Sequence, residues 1–550
     1  MAFSEIAYRS LQDALGADNV TNDRVICQAY SRVQWLPSGV MQREKCGLNM
    51  RPDCVVMPGS TEEVQAVVRI ANRYKFPFVP RGSGFTFSAF PTSPGTVVID
   101  PKRMDSIVEL NHRDMYAVIE PYVSFVGLQA EAMKYGLYTP TPLAGSQVSC
   151  LANYSWHGAY GNSWITGIGA QNLLGFELVL PDGEIVRSGA MACPGAGAFW
   201  NDGPGPDLRG FLRGGMFGHA GGMGMVTKIS CKLWPWAGPE VFPTHGNANM
   251  KFSDSLGENW RWYMIKFPFK YPEEEEKELR KSAEFFYELG KAEIAEVATH
   301  LAQQFLYTYS SVTKQDLFDN MKNNVFPSGY CVVALHAKTS SAQLEYEERV
   351  LKGIVEKVGG IFVEEQEPAY QVWIKRAANE WIRFGNAQRL SRASDCFSIG
   401  SSNVDSINQI VYEILESNKQ GRDLLEQEGL GKDFVQPLSM NGGWISPQEY
   451  GYWCLHTTDV FPEQDPAQCN QALEIIMRVT MSQFQRRSSA AAIHVLGPAY
   501  DIFGPQLFNI HLIMKQFKRE FDPDNLSNPG YATRPDVVSP EDLAKMMGKH

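Results

Sequence analysis

What the 550-residue chain lacks narrows it first. No apolar run reaches the roughly 18 residues that a membrane-crossing helix needs, so no membrane span is expected. The ten cysteines stand apart, with no Cys-x-x-Cys among them. That spacing suits reduced thiols better than a disulfide framework, and it offers no ligand set for an iron–sulfur cluster. The ten histidines are equally scattered and contain no His-x-x-x-His, so no metal site is expected. A basic excess is missing too. Lys and Arg number 50 against 61 Asp and Glu, a net charge of -11, which argues against nucleic acid as a partner. Glu5, Asp13 and Asp18 interrupt any signal-peptide core at the start, so a cytoplasmic protein is expected. No solenoid repeat or low-complexity linker occurs.

Present instead is an apolar content of 44% over a length that calls for two or three cores. The most informative stretch lies at 76–90. A short apolar run, Phe76 to Val79, ends at Pro80 and opens into Arg81-Gly82-Ser83-Gly84. Ser60 and Glu63 form a capping-box pattern, and Val64, Val67, Val68, Ala71 and Tyr74 then recur at helical spacing. Cys54 to Met57 reads as a strand ahead of that helix. The order is strand, helix, strand, glycine loop. Such a loop is either an ordinary turn or a cradle that aims successive N–H groups at an anion. It is not a nicotinamide-type fingerprint, because Phe87 stands where a third glycine belongs.

The run Arg51-Pro52-Asp53-Cys54-Val55-Val56-Met57-Pro58, the helix, and Val79-Pro80-Arg81-Gly82-Ser83-Gly84 together resemble the start of a known FAD domain. It is that of the vanillyl-alcohol oxidase and p-cresol methylhydroxylase superfamily, which also contains D-lactate dehydrogenases and glycolate oxidase subunits. In that family the glycine loop holds the FAD pyrophosphate. The hairpin signal from Leu174 to Gly189, with Pro181-Asp182-Gly183 at its turn, resembles the second half of the domain. Gly221-Gly222-Met223-Gly224-Met225-Val226-Thr227-Lys228-Ile229 matches the spacing of a segment that lies against the flavin, and its second half is closer to the aryl-alcohol branch. His219 and Ala220 depart from the Ser-Glu of the hydroxy-acid branch. Asp522-Pro523-Asp524-Asn525-Leu526-Ser527-Asn528-Pro529-Gly530 resembles the family's terminal Asp-Pro-x-x-x-x-Asn-Pro-Gly.

The resemblance implies an α+β fold: a p-cresol-methylhydroxylase-type FAD domain of two α/β subdomains at 1–240, an α+β cap for substrate at 241–500, and a return to the FAD domain at 501–550. It implies FAD contacts from Pro80, Arg81, Gly82, Ser83, Gly84 and Phe85, from Pro142, Gly145 and Ser146, and from Gly158 and Gly161. Further contacts are implied for Gly221, Gly222, Gly224, Val226 and Asn528.

Within the cap, Pro272 to about Leu301 is expected to be one long helical stretch, Tyr330–His336 a strand, Ser341–Val358 a helix and 403–417 another. Trp373, Trp381, Trp444, Tyr450, Tyr452 and Trp453 are expected as core or interface residues, some of them lining an aromatic pocket. His456, His494 and His511 are candidates for base or substrate contact, although each also reads as a structural histidine. Arg389 and Arg392 are candidates for gripping a carboxylate. The histidine-rich motif of metal-dependent hydroxy-acid relatives is missing, and so is the Tyr-Arg pair of the aryl-alcohol branch. Where that pair would fall, the sequence is Ala490-Ala491-Ala492-Ile493-His494.

The expected activity is FAD-dependent oxidation of a small hydroxylated substrate, an aromatic or apolar alcohol or phenol, by hydride transfer to flavin. The alternatives are a 2-hydroxy-acid dehydrogenase and an FAD-carrying electron-transfer subunit of a complex. The electron acceptor is left open among oxygen, a quinone and a partner protein, as is assembly into a homo- or hetero-oligomer.

Overall fold

The computed structural model describes residues 3–31, 51–84, 91–140, 146–155, 163–213, 221–242, 244–245, 252–253, 255–383, 399–436, 443–463, 465–486, 501, 504–507, 509–529, 534–536 and 539. Three sheets organise them: one of four strands, one of five and one of seven, with two further two-stranded pairs.

The four-stranded sheet begins with the strand, helix, strand unit. Cys54–Val56 and Phe78–Pro80 each pair in parallel with Val97–Ile99, which lies between them. The Thr61–Tyr74 helix connects them. Ser60 Oγ accepts from the Glu63 amide at 3.2 Å and starts the helix, while Glu63 reaches back to the Gly59 amide at 2.8 Å. Its apolar stripe, Val64, Val67, Val68 and Ala71, is fully buried.

The five-stranded sheet holds the 173–187 hairpin. Leu173–Val179 and Ile185–Arg187 pair antiparallel, and Gly183, at φ +92°, makes the turn with its amide bonded to Leu180 O. Strand Met225–Lys232 pairs with Leu173–Val179 on one side and Tyr116–Ile119 on the other. Glu177, 2% exposed, locks the helix to this sheet. Thr61 Oγ1 and Lys228 Nζ each donate to it at 2.7 Å, Thr227 Oγ1 at 3.0 Å and Arg187 Nε at 2.8 Å. Burial alone would raise this carboxyl, but the bonds from Lys228, Thr61 and Arg187 outweigh it and hold the pKa at about 2.

The seven-stranded sheet is drawn wholly from residues 260–460, in the order 361–362, 260–266, 330–336, 297–301, 443–448, 453–460, 399–405. Every pairing within it is antiparallel. Side chains alternate between its faces. Ile265, Ala298, Val333, Leu335, Ile445 and Cys454 meet the helices Glu275–Ala292, Ser341–Val358 and Ile407–Glu428. Met264, Val297, Val332, Ala334, Trp444 and Leu455 face the other way, into an aromatic core that also contains Met133, Tyr138 and Trp236. The sheet therefore turns its aromatic face toward the amino-terminal part of the chain.

The long helix expected over Pro272 to Leu301 stops at Ala292, and Val297–Leu301 is a strand. Glu293, at φ +51°, ends the helix, and the strand is fixed by its pairing with 330–334. The helix expected at 403–417 begins at Ile407 and runs to Glu428, because 399–405 is an edge strand of the sheet. The chain then returns: Phe78 bridges Ser527 in parallel, the Phe78 amide donates to Leu526 O at 2.8 Å, and the Asn528 amide donates to Phe78 O at 2.8 Å.

Candidate flavin site

The two glycine segments singled out in the sequence, and the terminal turn, converge. Pro80 ends its strand and Arg81 is still bonded to the sheet, its amide donating to Ile99 O at 2.9 Å. Beyond it, among the described residues, the amides of Gly82, Ser83 and Gly84 donate to no protein acceptor. Gly82 lies close against the short Cys150–Tyr154 helix, where a Cβ would stand 3.1 Å from Ala152 Cβ. Ser83 Oγ accepts from the Ser149 amide at 3.3 Å. Gly84, at φ +71°, turns the chain back over the Arg81 guanidinium. That guanidinium rests 5.1 Å from the centre of the Tyr30 ring. Burial lowers the Arg81 pKa, and Asp100 opposes the shift.

Gly221 faces this loop directly: a Cβ there would lie 3.1 Å from the Pro80 ring and 3.6 Å from Asn528 Nδ2. Gly224, at φ +99°, leaves no room for a side chain at all, since a Cβ would overlap Val179 O. Ser527 ties the segments together, donating from Oγ to Gly221 O at 2.6 Å and accepting from the Gly224 amide at 3.1 Å. Lys518 Nζ reaches Gly222 O at 2.6 Å and Ser527 O at 2.7 Å. A run of amides with no protein acceptor among the described residues, flanked by glycines a Cβ would obstruct and by a half-buried guanidinium, suits a bound pyrophosphate. The donor set fits FAD.

The other expected site residues fall in different places. Ser146 is buried and its carbonyl accepts from the Val126 amide at 2.9 Å. Val226 packs in the core of the five-stranded sheet. His511, on the Ile510–Phe521 helix, lies against Gly504, beside the buried pair of Lys515 and Asp501 at 2.9 Å. His456 pairs with Ile445 across the sheet and so stands on the helix-covered face, with Thr458 Oγ1 3.2 Å from its Nε2. Burial, with Arg486 and His300 nearby, drops its pKa to about 3, so it is a neutral imidazole. Phe85, Pro142, Gly145, Gly158, Gly161, Arg389, Arg392 and His494 lie outside the described residues.

Sequence reasoning missed Lys518, named Asp522 and Ser527 only as members of the terminal segment without their contacts, and missed Tyr309 and Asp459 on the aromatic face. Leu455, Asp459 and Phe461 share one parity along the chain, and both Leu455 and Phe461 belong to the aromatic core. Burial and the nearby Asp459 raise the Tyr309 phenol well above its ordinary pKa. Tyr309 stands edge-on to Trp381, with ring centres 4.7 Å apart. Trp373 and Trp381 are buried in the same cluster and Trp453 packs against it, whereas Tyr450 packs on Trp164 and Tyr452 is 85% exposed. The Ser163–Thr166 segment docks on the edge of the cap through Trp164, whose indole donates to Ile294 O at 2.9 Å and whose carbonyl accepts from the Tyr450 amide at 2.8 Å.

Comparison with known proteins bears on both regions. Residues 52–189 match a family model described as an FAD binding domain. The chain is 28% identical over 184 residues to a mitochondrial D-lactate dehydrogenase (cytochrome) of Arabidopsis thaliana, covering 33% of this chain and 30% of that protein. It is 31% identical over 250 residues to the flavoprotein subunit of 4-cresol dehydrogenase (hydroxylating) of Pseudomonas putida, covering 43% of each. The match thus spans less than half the length of these relatives. Among solved structures, the 4-ethylphenol oxidase of Gulosibacter chungangensis in complex with isoeugenol superposes with a TM-score of 0.72 at 16% identity, covering 98% of this chain and 99% of that one. p-Cresol methylhydroxylase with substrate bound gives 0.70 at 17% identity, with 97% and 98% covered.

Proposed function

We propose that this chain, an FAD-binding member of the vanillyl-alcohol oxidase and p-cresol methylhydroxylase superfamily, is an oxidoreductase that oxidises an aromatic or apolar alcohol or phenol. The observation that carries the substrate class is the extent of the likeness. The D-lactate dehydrogenase match is confined to 184 residues, whereas the 4-cresol dehydrogenase match runs to 250 and the phenol-oxidase fold covers 98% of the chain, cap included. The FAD domain is common to both branches, so the support for the phenol branch comes from the remainder of the chain.

FAD held between the glycine loops would supply the hydride-accepting chemistry. The chain's part is to hold the cofactor between the glycine loops and to present the substrate from the aromatic face of the seven-stranded sheet. Trp381 and Trp444 give that face flat apolar surface. Tyr309, kept protonated, offers an O–H to the substrate oxygen, and Asp459 takes the hydroxyl proton. His456, on the opposite face, packs the cap.

The test is anaerobic bleaching of the flavin by a donor panel with and without a chelator. An aromatic alcohol or 4-alkylphenol should bleach it, indifferent to chelator and faster as pH rises through the pKa of the accepting group. Asp459→Asn should keep its flavin and lose about 10²–10⁴ in bleaching rate, the usual contribution of a positioned base. Bleaching by lactate or glycolate alone, abolished by the chelator, would instead identify a metal-assisted hydroxy-acid dehydrogenase.

A further inference from the structure

The terminal turn does more than cover the cofactor loops, because a buried charge holds it there. Lys518 is 1% exposed and Asp522, one helical turn on, is 3% exposed. The Lys518 ammonium donates to Asp522 Oδ2 at 2.6 Å, Gly222 O at 2.6 Å and Ser527 O at 2.7 Å. Asp522 in turn accepts from the Leu526 amide at 2.7 Å and the Ser527 amide at 2.9 Å, which shapes the turn. From that turn, the Ser527 hydroxyl grips the Gly221 carbonyl and the Gly224 amide, while the backbones of Leu526 and Asn528 pair with Phe78, two residues before Pro80. Gly221 then rests against the Pro80 ring.

The flavin-facing loop is thus held at three points, Gly221, Gly222 and Gly224, by residues some 300 positions later in the chain. The same turn is bonded to the strand that carries the Arg81–Gly84 loop. Strands alone do not fix this distance, since the two loops leave different sheets. A buried ion pair tolerates little displacement, because moving either partner leaves a desolvated charge uncompensated.

We propose that Lys518 and Asp522, acting through Ser527, are positioning residues that set the separation of the two glycine loops and with it the affinity for FAD. The proposal rests on the FAD reading of those loops. The experiment strips the wild-type protein and two variants of flavin, then measures the FAD dissociation constant by titration and the thermal midpoint of each apo-protein. Lys518→Met should raise the dissociation constant at least tenfold. Ser527→Ala, which buries no unpaired charge and is the deciding variant if Lys518→Met does not fold, should raise it several-fold with the apo midpoint nearly unchanged. Ser527→Ala with unchanged FAD affinity and a lowered apo midpoint would overturn the proposal, because the clasp would then be only structural. A wild-type protein that rebinds no FAD would overturn the reading beneath it.

Discussion

The flavin loops and the aromatic face of the cap sheet, the two halves of the proposed active site, are built from opposite materials. Around Gly82–Gly84 and Gly221–Gly224 the surface is main chain: at Gly82–Gly84, amides with no protein acceptor among the described residues, and in both segments glycines whose missing side chains make room. On the cap the surface is side chain, Trp381, Trp444, Tyr309 and Phe305 packed against one another with Asp459 beside them. A backbone site is intolerant of any added atom but indifferent to most side chains nearby. An aromatic site depends on a few large side chains and can be reshaped by changing one.

The contrast is broken most severely at Gly224. Leucine there would meet Val179 O and must adopt φ +99°. Backbone strain alone is worth about 1–3 kcal/mol. Gly224→Leu should therefore purify without flavin absorbance and with a sharply lowered thermal midpoint.

Trp381→Ala probes the other side. Truncating a fully buried tryptophan costs about 3–5 kcal/mol. The loss should appear as lowered stability and slower flavin bleaching by aromatic donors, with FAD affinity unchanged. A variant that lost FAD affinity instead would show that the two regions are not separable.

A smaller effect tests the seam between them. Glu296 is 2% exposed, accepts from the Tyr138 hydroxyl, and pairs with Lys338 at 2.6 Å. Burial would raise its pKa, but His336 and Lys338 hold it at about 2, below the ordinary 4.5. A depressed carboxyl contributes stability that is complete above pH 4.5 and is lost as pH falls toward 2. The contribution is on the order of 3 kcal/mol. Glu296→Gln should be less stable at neutral pH and flatter across that acid window, measured by denaturant unfolding at a series of pH values.

The same contrast explains what the sequence revealed. A backbone site leaves its mark as glycine spacing, so the segments carrying Gly82, Gly84, Gly221, Gly224 and Asn528, which the structure brings together, stood out in a single chain, and their resemblance to a known FAD domain implied the α+β architecture. Lys518 did not stand out, because a lysine on an amphipathic helix reads as surface until the partners of its Nζ are known. Asp459 was hidden for a related reason. Its strand shows which residues share a face but not which face is aromatic, and that is settled by Trp373, Trp381 and Tyr309, far off in sequence. His456 drew attention as chemistry, yet its pairing with Ile445 puts it on the helix-covered face. The end of the 275–292 helix was missed because pairing with 330–334 decides it, not local propensity.

The claim at the centre is that the Gly84 loop holds FAD by its backbone, and one paired measurement reaches it directly. Gly84 and Gly195 have nearly the same φ, +71° and +78°, but a Cβ added at Gly195 would meet nothing within 4 Å. Valine at either position carries a similar conformational penalty, and because a Cβ at Gly84 would also press on the Arg81 guanidinium, flavin content is read beside the thermal midpoint of each apo-protein. Gly195→Val should carry wild-type FAD and Gly84→Val only a small fraction of it. Equal flavin content in the two variants would contradict the account.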